Sequence, residues 1–107
     1  MANALIDRPD NARRGDIVTI RLVLSHVMET GYRRDISGKV IPRNIIRNFV
    51  CRYDGAEIVR AEFTQAIAAN PFLAFTTVAT VTGPVTMTWD DDEGQRYSAE
   101  TMLNVRD

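Results

Sequence analysis

Apolar residues along this chain recur at every second position, which predicts β-strands and not helices. From residue 17 to residue 26, one face carries Val18, Ile20, Leu22 and Leu24. The same period groups further apolar residues on one face each: Phe49, Cys51 and Tyr53; Val59, Ala61 and Phe63; Val85, Met87 and Trp89; Tyr97, Ala99, Thr101, Leu103 and Val105. Asp54-Gly55 and Asp92-Glu93-Gly94 are turn sequences that would close hairpins between neighbouring strands.

The number and spacing of these segments predict the fold. With further strands over residues 72–80 and near Leu5, the chain has about seven. Strands and helices do not alternate, which argues against a parallel α/β sheet. Short helical turns are expected only near Asn44–Asn48 and at Gln65–Asn70, before Pro71. We therefore expect a single all-β domain over residues 1–107, an immunoglobulin-like antiparallel β-sandwich of about seven strands.

Two segments interrupt the alternation. Phe72–Phe75 is apolar on both strand faces, with Phe72 and Ala74 on one and Leu73 and Phe75 on the other. One face can fill the core, and the other then needs a cover. Met28–Asn44 is a long connection that carries several apolar residues, and loops of this length in small domains are usually functional. Both segments predict contact with a partner.

Composition narrows the classes of function. The chain has 107 residues, of which 45% are hydrophobic, and a net charge of −1. This charge argues against a nucleic-acid binder, and no apolar run is long enough to span a bilayer. With one cysteine and one histidine, an internal disulfide is impossible and a zinc site has almost no ligands. The first sixteen residues lack the apolar stretch of a secretory signal.

Cys51 and His26 are the residues to consider for catalysis. Cys51 lies on the apolar side of a strand, where burial raises a thiol pKa, so we interpret it as a structural residue. His26 ends a strand just before the long connection, and its neighbours along the strand point to opposite faces, so no catalytic triad can be built. We expect His26 to orient the connection through a hydrogen bond. No catalytic residue, metal ligand or cofactor site is predicted.

Two clusters of charged residues are further candidates for a binding site. Asp90-Asp91-Asp92-Glu93 lacks the alternate spacing of a calcium loop and is interpreted as a solvated turn. Basic residues crowd the segment from Arg33 to Arg52, where Asp35 is the one acid. They indicate either a surface that faces a partner or an anion, or ordinary charged protection of strand edges, and the residues leave both readings open.

Several blocks of the chain resemble one family. These are His26-Val27-Met28-Glu29-Thr30-Gly31-Tyr32-Arg33-Arg34-Asp35, Gly38-Lys39 with Ile41-Pro42-Arg43, Phe49-Val50-Cys51-Arg52-Tyr53, Ala66 through Thr77, and Thr88-Trp89-Asp90 with Gly94. Together they resemble the SoxZ family, one half of the SoxYZ sulfur carrier of bacterial thiosulfate oxidation. The likeness runs from about Ala4 to the last strand and includes both interrupted segments.

The resemblance implies a partner subunit and a cellular location. In such carriers, SoxY holds the sulfur intermediate on a cysteine in a glycine-rich tail, and SoxZ is the immunoglobulin-like subunit without chemistry of its own. This chain ends without a cysteine or a glycine run, which fits the SoxZ half. The resemblance also implies a periplasmic location, reached by export with a signal-bearing SoxY, and transient contact with the other thiosulfate-oxidation enzymes. Self-association is expected when the chain is expressed alone.

We place the partner-binding surface on the two interrupted segments. The residues predicted to contact the partner are Met28, Tyr32, Arg33, Arg34, Ile41, Arg43, Leu73 and Phe75. Three arginines, Arg33, Arg34 and Arg43, are candidates to stabilise the anionic, loaded tail of the carrier. The alternatives are a stand-alone β-sandwich binding domain and, as a third reading, a small hydrolase or redox enzyme that uses Cys51 or His26.

Overall fold

The computed structural model describes residues 4–107, which form two main antiparallel sheets. The strands are β1 (Ala4–Asp7), β2 (Ala12–Arg13), β3 (Ile17–Leu24), β4 (Ile46–Tyr53), β5 (Ala56–Glu62), β6 (Phe72–Val78), β7 (Gly83–Asp91), β8 (Arg96–Leu103) and β9 (Val105–Arg106). One sheet has the order β1-β3-β6 and the other the order β5-β4-β7-β8. Within the described residues, no helix is long and apolar enough to cross a membrane.

The core lies between the inner faces of the two sheets. In β3, in β7 and in β4 from Phe49 onward, every second side chain is buried, so the residues predicted to share a face in these strands do so. Trp89 stacks on Tyr97 with ring centroids 5.9 Å apart and lies 6.2 Å from Phe49. The largest fully buried side chains are Ile20, Leu22, Leu24, Ile45, Ile46, Phe49, Cys51, Val85, Met87 and Leu103.

The turn chemistry is as the sequence predicts. Asp54 and Gly55 have φ angles of 50° and 86°, the pair of positive values that a two-residue type I′ turn requires. The turn joins β4 to β5, and Asp92 with Glu93 forms the turn between β7 and β8. These hairpins confirm the all-β antiparallel fold.

Three details differ from the sequence prediction. Residues 44–48 lead directly into β4, since Ile46 pairs with Asp91 and leaves no room for a helical turn. Residues 65–70 form turns and bends instead of a helix. The two-residue strands β2 and β9 pair in parallel, a contact too short to leave a period in the sequence.

Candidate functional site

The connection between β3 and β4 folds back on itself as an irregular antiparallel hairpin, which we call the projecting hairpin (residues 29–44). Glu29 and Asn44 exchange two backbone hydrogen bonds of 2.8 Å at its base. Further out, the Ile41 N–H donates to the Arg33 carbonyl at 2.9 Å. The long loop expected from the sequence is therefore an ordered element.

The projecting hairpin accounts for the elongated shape of the molecule. A limb of eight strand-like residues reaches roughly 26 Å. The molecule measures 61 × 24 × 19 Å and has a radius of gyration of 16.3 Å, whereas a compact domain of this size has about 13 Å. The hairpin therefore stands out from the sandwich and does not fold over it.

Local hydrogen bonds, and not packing, hold the tip of the projecting hairpin. The Asp35 carboxylate accepts the Ser37 hydroxyl at 2.6 Å and the N–H groups of Ser37 and Lys39 at 2.9 and 3.0 Å. These hydrogen bonds lower the pKa of Asp35, and the bond from the Ser37 hydroxyl has the largest effect. Ile36 at the tip is fully exposed and Tyr32 is 78% exposed. The tip is thus preformed while its large apolar side chains lie in water.

The limb that leaves β3 is fixed by a buried network around His26. The Met28 N–H donates to His26 Nδ1 at 2.9 Å, so the proton of the neutral ring lies on Nε2, which donates to Asp91 at 3.2 Å. Asp91 also accepts the Tyr97 hydroxyl at 2.9 Å. Met28 has a positive φ of 52°, and its sulfur accepts the Ile46 N–H at 3.3 Å. The predicted role of His26 in orienting the connection is confirmed.

The limb that enters β4 is fixed by the neighbouring carboxylate, Asp92. Arg43 Nε lies 2.8 Å from Asp92, and Arg47 lies 3.2 Å from it. Asp92 also accepts the Ile45 N–H at 3.2 Å. Burial of Asp92 works to raise the pKa of its carboxyl, but the bonds from Ile45, Arg43 and Arg47 together lower it. The prediction of a solvated acidic turn is therefore wrong for both Asp91 and Asp92, because each anchors one limb of the projecting hairpin.

The outer face of the sheet β1-β3-β6 carries an uncovered strip of apolar side chains at the end where the projecting hairpin begins. Leu5, Val23 and Phe72 lie side by side across the three strands and form what we call the apolar row. Leu5 is 72% exposed and Phe72 is 63% exposed. They line a shallow groove together with Leu22, Ile6 and the ion pair of Arg21 with Asp7. Large apolar side chains on this face are therefore left in contact with solvent.

The predicted partner-binding residues divide into accessible and inaccessible ones. Tyr32, Arg33 and Arg34 are exposed on the projecting hairpin, Arg43 is exposed at its base, and Ile41 is half-buried. Met28 is buried in the hairpin base, and Leu73 and Phe75 pack against the core.

The structure therefore corrects one part of the predicted surface. Leu73 and Phe75 point inward because they pair with Leu22 and Ile20, whose side chains fill the core. The exposed large side chain at this end of β6 is Phe72. Since Phe72–Phe75 is apolar at every position, the sequence could not tell which face turns inward, and it gave no reason to single out Leu5.

The arginines of the projecting hairpin differ in their freedom to bind an anion. Arg33 pairs with Glu29 at 2.6 Å and lowers the pKa of that carboxyl, and Arg43 pairs with Asp92. Arg34 donates to the Gly38 carbonyl at 2.8 Å, and within residues 4–107 no carboxylate lies within ion-pair distance of it. Of the three candidates, Arg34 retains an uncompensated charge.

Cys51 is fully buried beside Phe49 and Tyr53 on the inner face of β4. Burial raises the pKa of its thiol to about 11, so the thiolate is scarce at neutral pH. No group of three or more histidine, cysteine or acidic side chains in the described part of the chain could hold a metal ion.

Comparison with known proteins identifies the family. The fold is similar to that of the sulfur carrier protein SoxY from Chlorobium limicola f thiosulfatophilum, with 12% identity, a TM-score of 0.67 and coverage of 100% of this chain and 82% of that one. It is also similar to superoxide reductase (neelaredoxin) from Ignicoccus hospitalis, with 14% identity, a TM-score of 0.69 and coverage of 98% and 81%. At such identities the likeness shows the shared fold alone. No curated protein sequence gives a significant match. Residues 6–102 match the family described as "Sulphur oxidation protein SoxZ", and the chain therefore belongs to the SoxZ family.

Proposed function

We propose that this chain is the non-catalytic half of a sulfur carrier and pairs with a SoxY-like subunit whose cysteine holds the sulfur intermediates. Membership of the SoxZ family gives it a role related to sulfur oxidation. The observation that carries the proposal is the apolar row, which lies open to solvent beside the base of the projecting hairpin.

The distribution of exposed apolar side chains supports a partner at this end of the molecule. Tyr32, Ile36 and Val40 are exposed on the projecting hairpin, and Val27 is exposed at its base. Val23, the member of the apolar row on β3, is the last residue but one of that strand. The row therefore lies at the end of the sandwich from which the projecting hairpin extends. A partner that contacts both the apolar row and the projecting hairpin would bury an apolar centre surrounded by charged residues. Stable interfaces usually have this arrangement.

The state of the two reactive side chains supports a subunit without chemistry of its own. Cys51 is buried with a raised thiol pKa, and both ring nitrogens of His26 are engaged in hydrogen bonds. A nucleophile must reach its substrate, and a general base needs a nitrogen free to take a proton. We therefore assign the sulfur chemistry to the partner's cysteine and none of it to this chain.

Within such a complex, the loaded tail of the carrier would be anionic. Arg34, which has no acidic partner in the described chain, is the arginine best suited to contact the tail, whereas Arg33 and Arg43 are already paired. The proposal also includes a periplasmic location, export together with the signal-bearing partner, and transient contacts with other thiosulfate-oxidation enzymes.

The test is to measure binding of purified SoxY-like carrier to Phe72→Ser and to wild type by calorimetry. Burial of the exposed part of Phe72 contributes about 1.5–2 kcal/mol, so we expect the dissociation constant to rise roughly 10- to 30-fold. Met102→Ser on the outer face of β8 is the matched control, since Met102 is also exposed but belongs to the other sheet. The control variant should bind like wild type.

Two results would overturn the proposal. A chain that stays monomeric alone and fails to bind the carrier would favour a stand-alone binding domain. Equal losses of affinity for Phe72→Ser and Met102→Ser would remove the apolar row as the binding surface.

A further inference from the structure

Strand β6 leaves one whole edge of its backbone unpaired. The Leu24 N–H donates to the Pro71 carbonyl and the Ala79 N–H donates to the Asp16 carbonyl, both at 2.8 Å. Between these two points β6 pairs with β3 without a shift in register, so the odd-numbered residues bond inward to β3. The N–H and C=O groups that point outward belong to Phe72, Ala74, Thr76 and Val78. No other segment of the described chain pairs with this edge.

The other sheet edges of the described chain carry the devices that usually prevent unwanted pairing, and β6 does not. Strand β1 has four residues and ends in Asp7, and β8 carries Arg96 and Glu100. Strand β5 carries charged residues at Glu57, Arg60 and Glu62, and its pairing with β4 is interrupted by a register shift. Strand β6 has seven residues, none of them charged or proline, and no bulge.

The lack of charge extends well beyond β6. The 27 residues between Glu62 and Asp90 include no charged residue, although charged residues make up 25% of the chain. About seven would be expected in a segment of this length at that average. The connection that leads into β6 shares this lack of charge, so neither β6 nor the residues just before it carry a charge that would repel a neutral strand.

We propose that a strand of the SoxY-like carrier subunit pairs with the outward edge of β6 and extends the sheet β1-β3-β6 into the partner. This inference rests on the proposed function. Phe72 belongs both to this edge and to the apolar row, so a strand added here places its own side chains next to Phe72 and brings its subunit beside the row and the base of the projecting hairpin. The backbone of β6 then supplies directional hydrogen bonds, and the row supplies apolar burial.

A second copy of this chain fits the edge less well than the carrier. Two copies paired through β6 about a two-fold axis have antiparallel strands, so their projecting hairpins point in opposite directions and Tyr32, Ile36 and Val40 stay in water. A different subunit is free of that symmetry and can cover edge, row and hairpin together. The SoxY structure with a similar fold shows that a carrier can have the sandwich architecture that offers such a strand.

Amide hydrogen exchange resolved by residue tests the proposal in the full complex and in the free chain. The amides of Phe72, Ala74, Thr76 and Val78 should exchange fast in the free chain and about 100-fold more slowly in the complex. The inward amides of Leu73, Phe75 and Thr77 should be slow in both samples. A complex in which the outward amides stay fast overturns the inference but leaves the proposed function intact. Outward amides already protected in a dimer of the free chain would overturn the choice of partner.

Proline substitution gives a second, independent measurement. Thr76→Pro removes an outward N–H without removing a bond to β3, and should weaken carrier binding about 10- to 100-fold. Met102→Pro is the matched control, because the Met102 N–H points outward from the opposite edge strand, and it should bind within about twofold of wild type. If Thr76→Pro lowers the melting temperature, Thr76→Lys is measured in its place, because it keeps the backbone N–H and adds a charge at the same edge. Wild-type affinity in the folded variant at position 76 would overturn the proposal.

Discussion

Replacement of Asp91 by asparagine tests whether the buried network sets the base of the projecting hairpin. The Asp91 side chain accepts hydrogen bonds from His26, Tyr97 and the backbone N–H groups of Glu93 and Gln95. An asparagine oxygen can keep the two backbone bonds, but its amide nitrogen would then face the His26 N–H, donor against donor. One lost charged hydrogen bond and one buried unpaired donor together cost about 3 kcal/mol.

The loss can be measured by thermal and urea unfolding of Asp91→Asn. For a domain of this size, about 3 kcal/mol lowers the melting temperature by roughly 12–20 °C. Asp90→Asn is the matched control: Asp90 is the preceding residue and faces outward, and its contacts with Asn48 are long, at 3.3 and 3.4 Å. The control should lose less than 1 kcal/mol. Equal losses in the two variants would refute the assignment of Asp91 as an anchor.

The pH dependence of stability gives a second readout of the same network. Burial works to raise the pKa of Asp91, but hydrogen bonds from Tyr97, Gln95, His26 and Glu93 outweigh it and lower the pKa. A carboxyl with a lowered pKa stabilises the fold above its unfolded-state pKa of about 3.9, and this stabilisation is lost as the pH falls through the folded-state value. Below pH 4 the free energy of unfolding should therefore fall more steeply in wild type than in Asp91→Asn. Parallel curves would contradict this origin of the shift.

Two further predictions concern single positions. With a thiol pKa of about 11, Cys51 in the native chain should react with iodoacetamide at pH 8 at least roughly 200-fold more slowly than a free thiol, and at the free-thiol rate in denaturant; fast native alkylation would show that the thiol is accessible. Gly31→Ala should cost about 1–2 kcal/mol by urea unfolding, because φ is +88° and the added Cβ would lie 3.0 Å from the Arg43 Cβ. Gly38→Ala has a similar φ but open space around it, so a smaller loss there would identify the close approach as the cause.

The fold could be predicted because its main signals are local. Alternation around Val18–Leu24 and Val85–Trp89 fixes both the strands and their inward faces, and Asp54-Gly55 fixes a turn. The short pair β2–β9 could not be predicted, because two residues of pairing leave no periodic pattern. The helical turn expected near residues 44–48 is wrong because pairing with β7 overrides the local preference of these residues.

The candidate site could be predicted in outline but not in detail. The sequence identified the two segments that depart from alternation, and the structure shows apolar side chains exposed on both. The sequence could not show which residues of β6 face the core, because Phe72 and Phe75 are equally apolar. Only the register of β6 with β3 distinguishes them. Nor could the sequence show that Asp91 and Asp92 are anchors, since Asp91 meets His26 and Asp92 meets Arg43 across a long separation in the chain.

The two adjacent anchors, at the end of β7 and the start of the turn that follows it, make the conformation of the projecting hairpin depend on a distant part of the chain. Asp91 holds the limb that leaves β3 through His26, and Asp92 holds the limb that enters β4 through Arg43. A residue inserted in β7 just before Asp91 would shift both carboxylates at once and reorient the whole hairpin. Grafting the hairpin from another family member should therefore succeed only when this turn is transplanted with it.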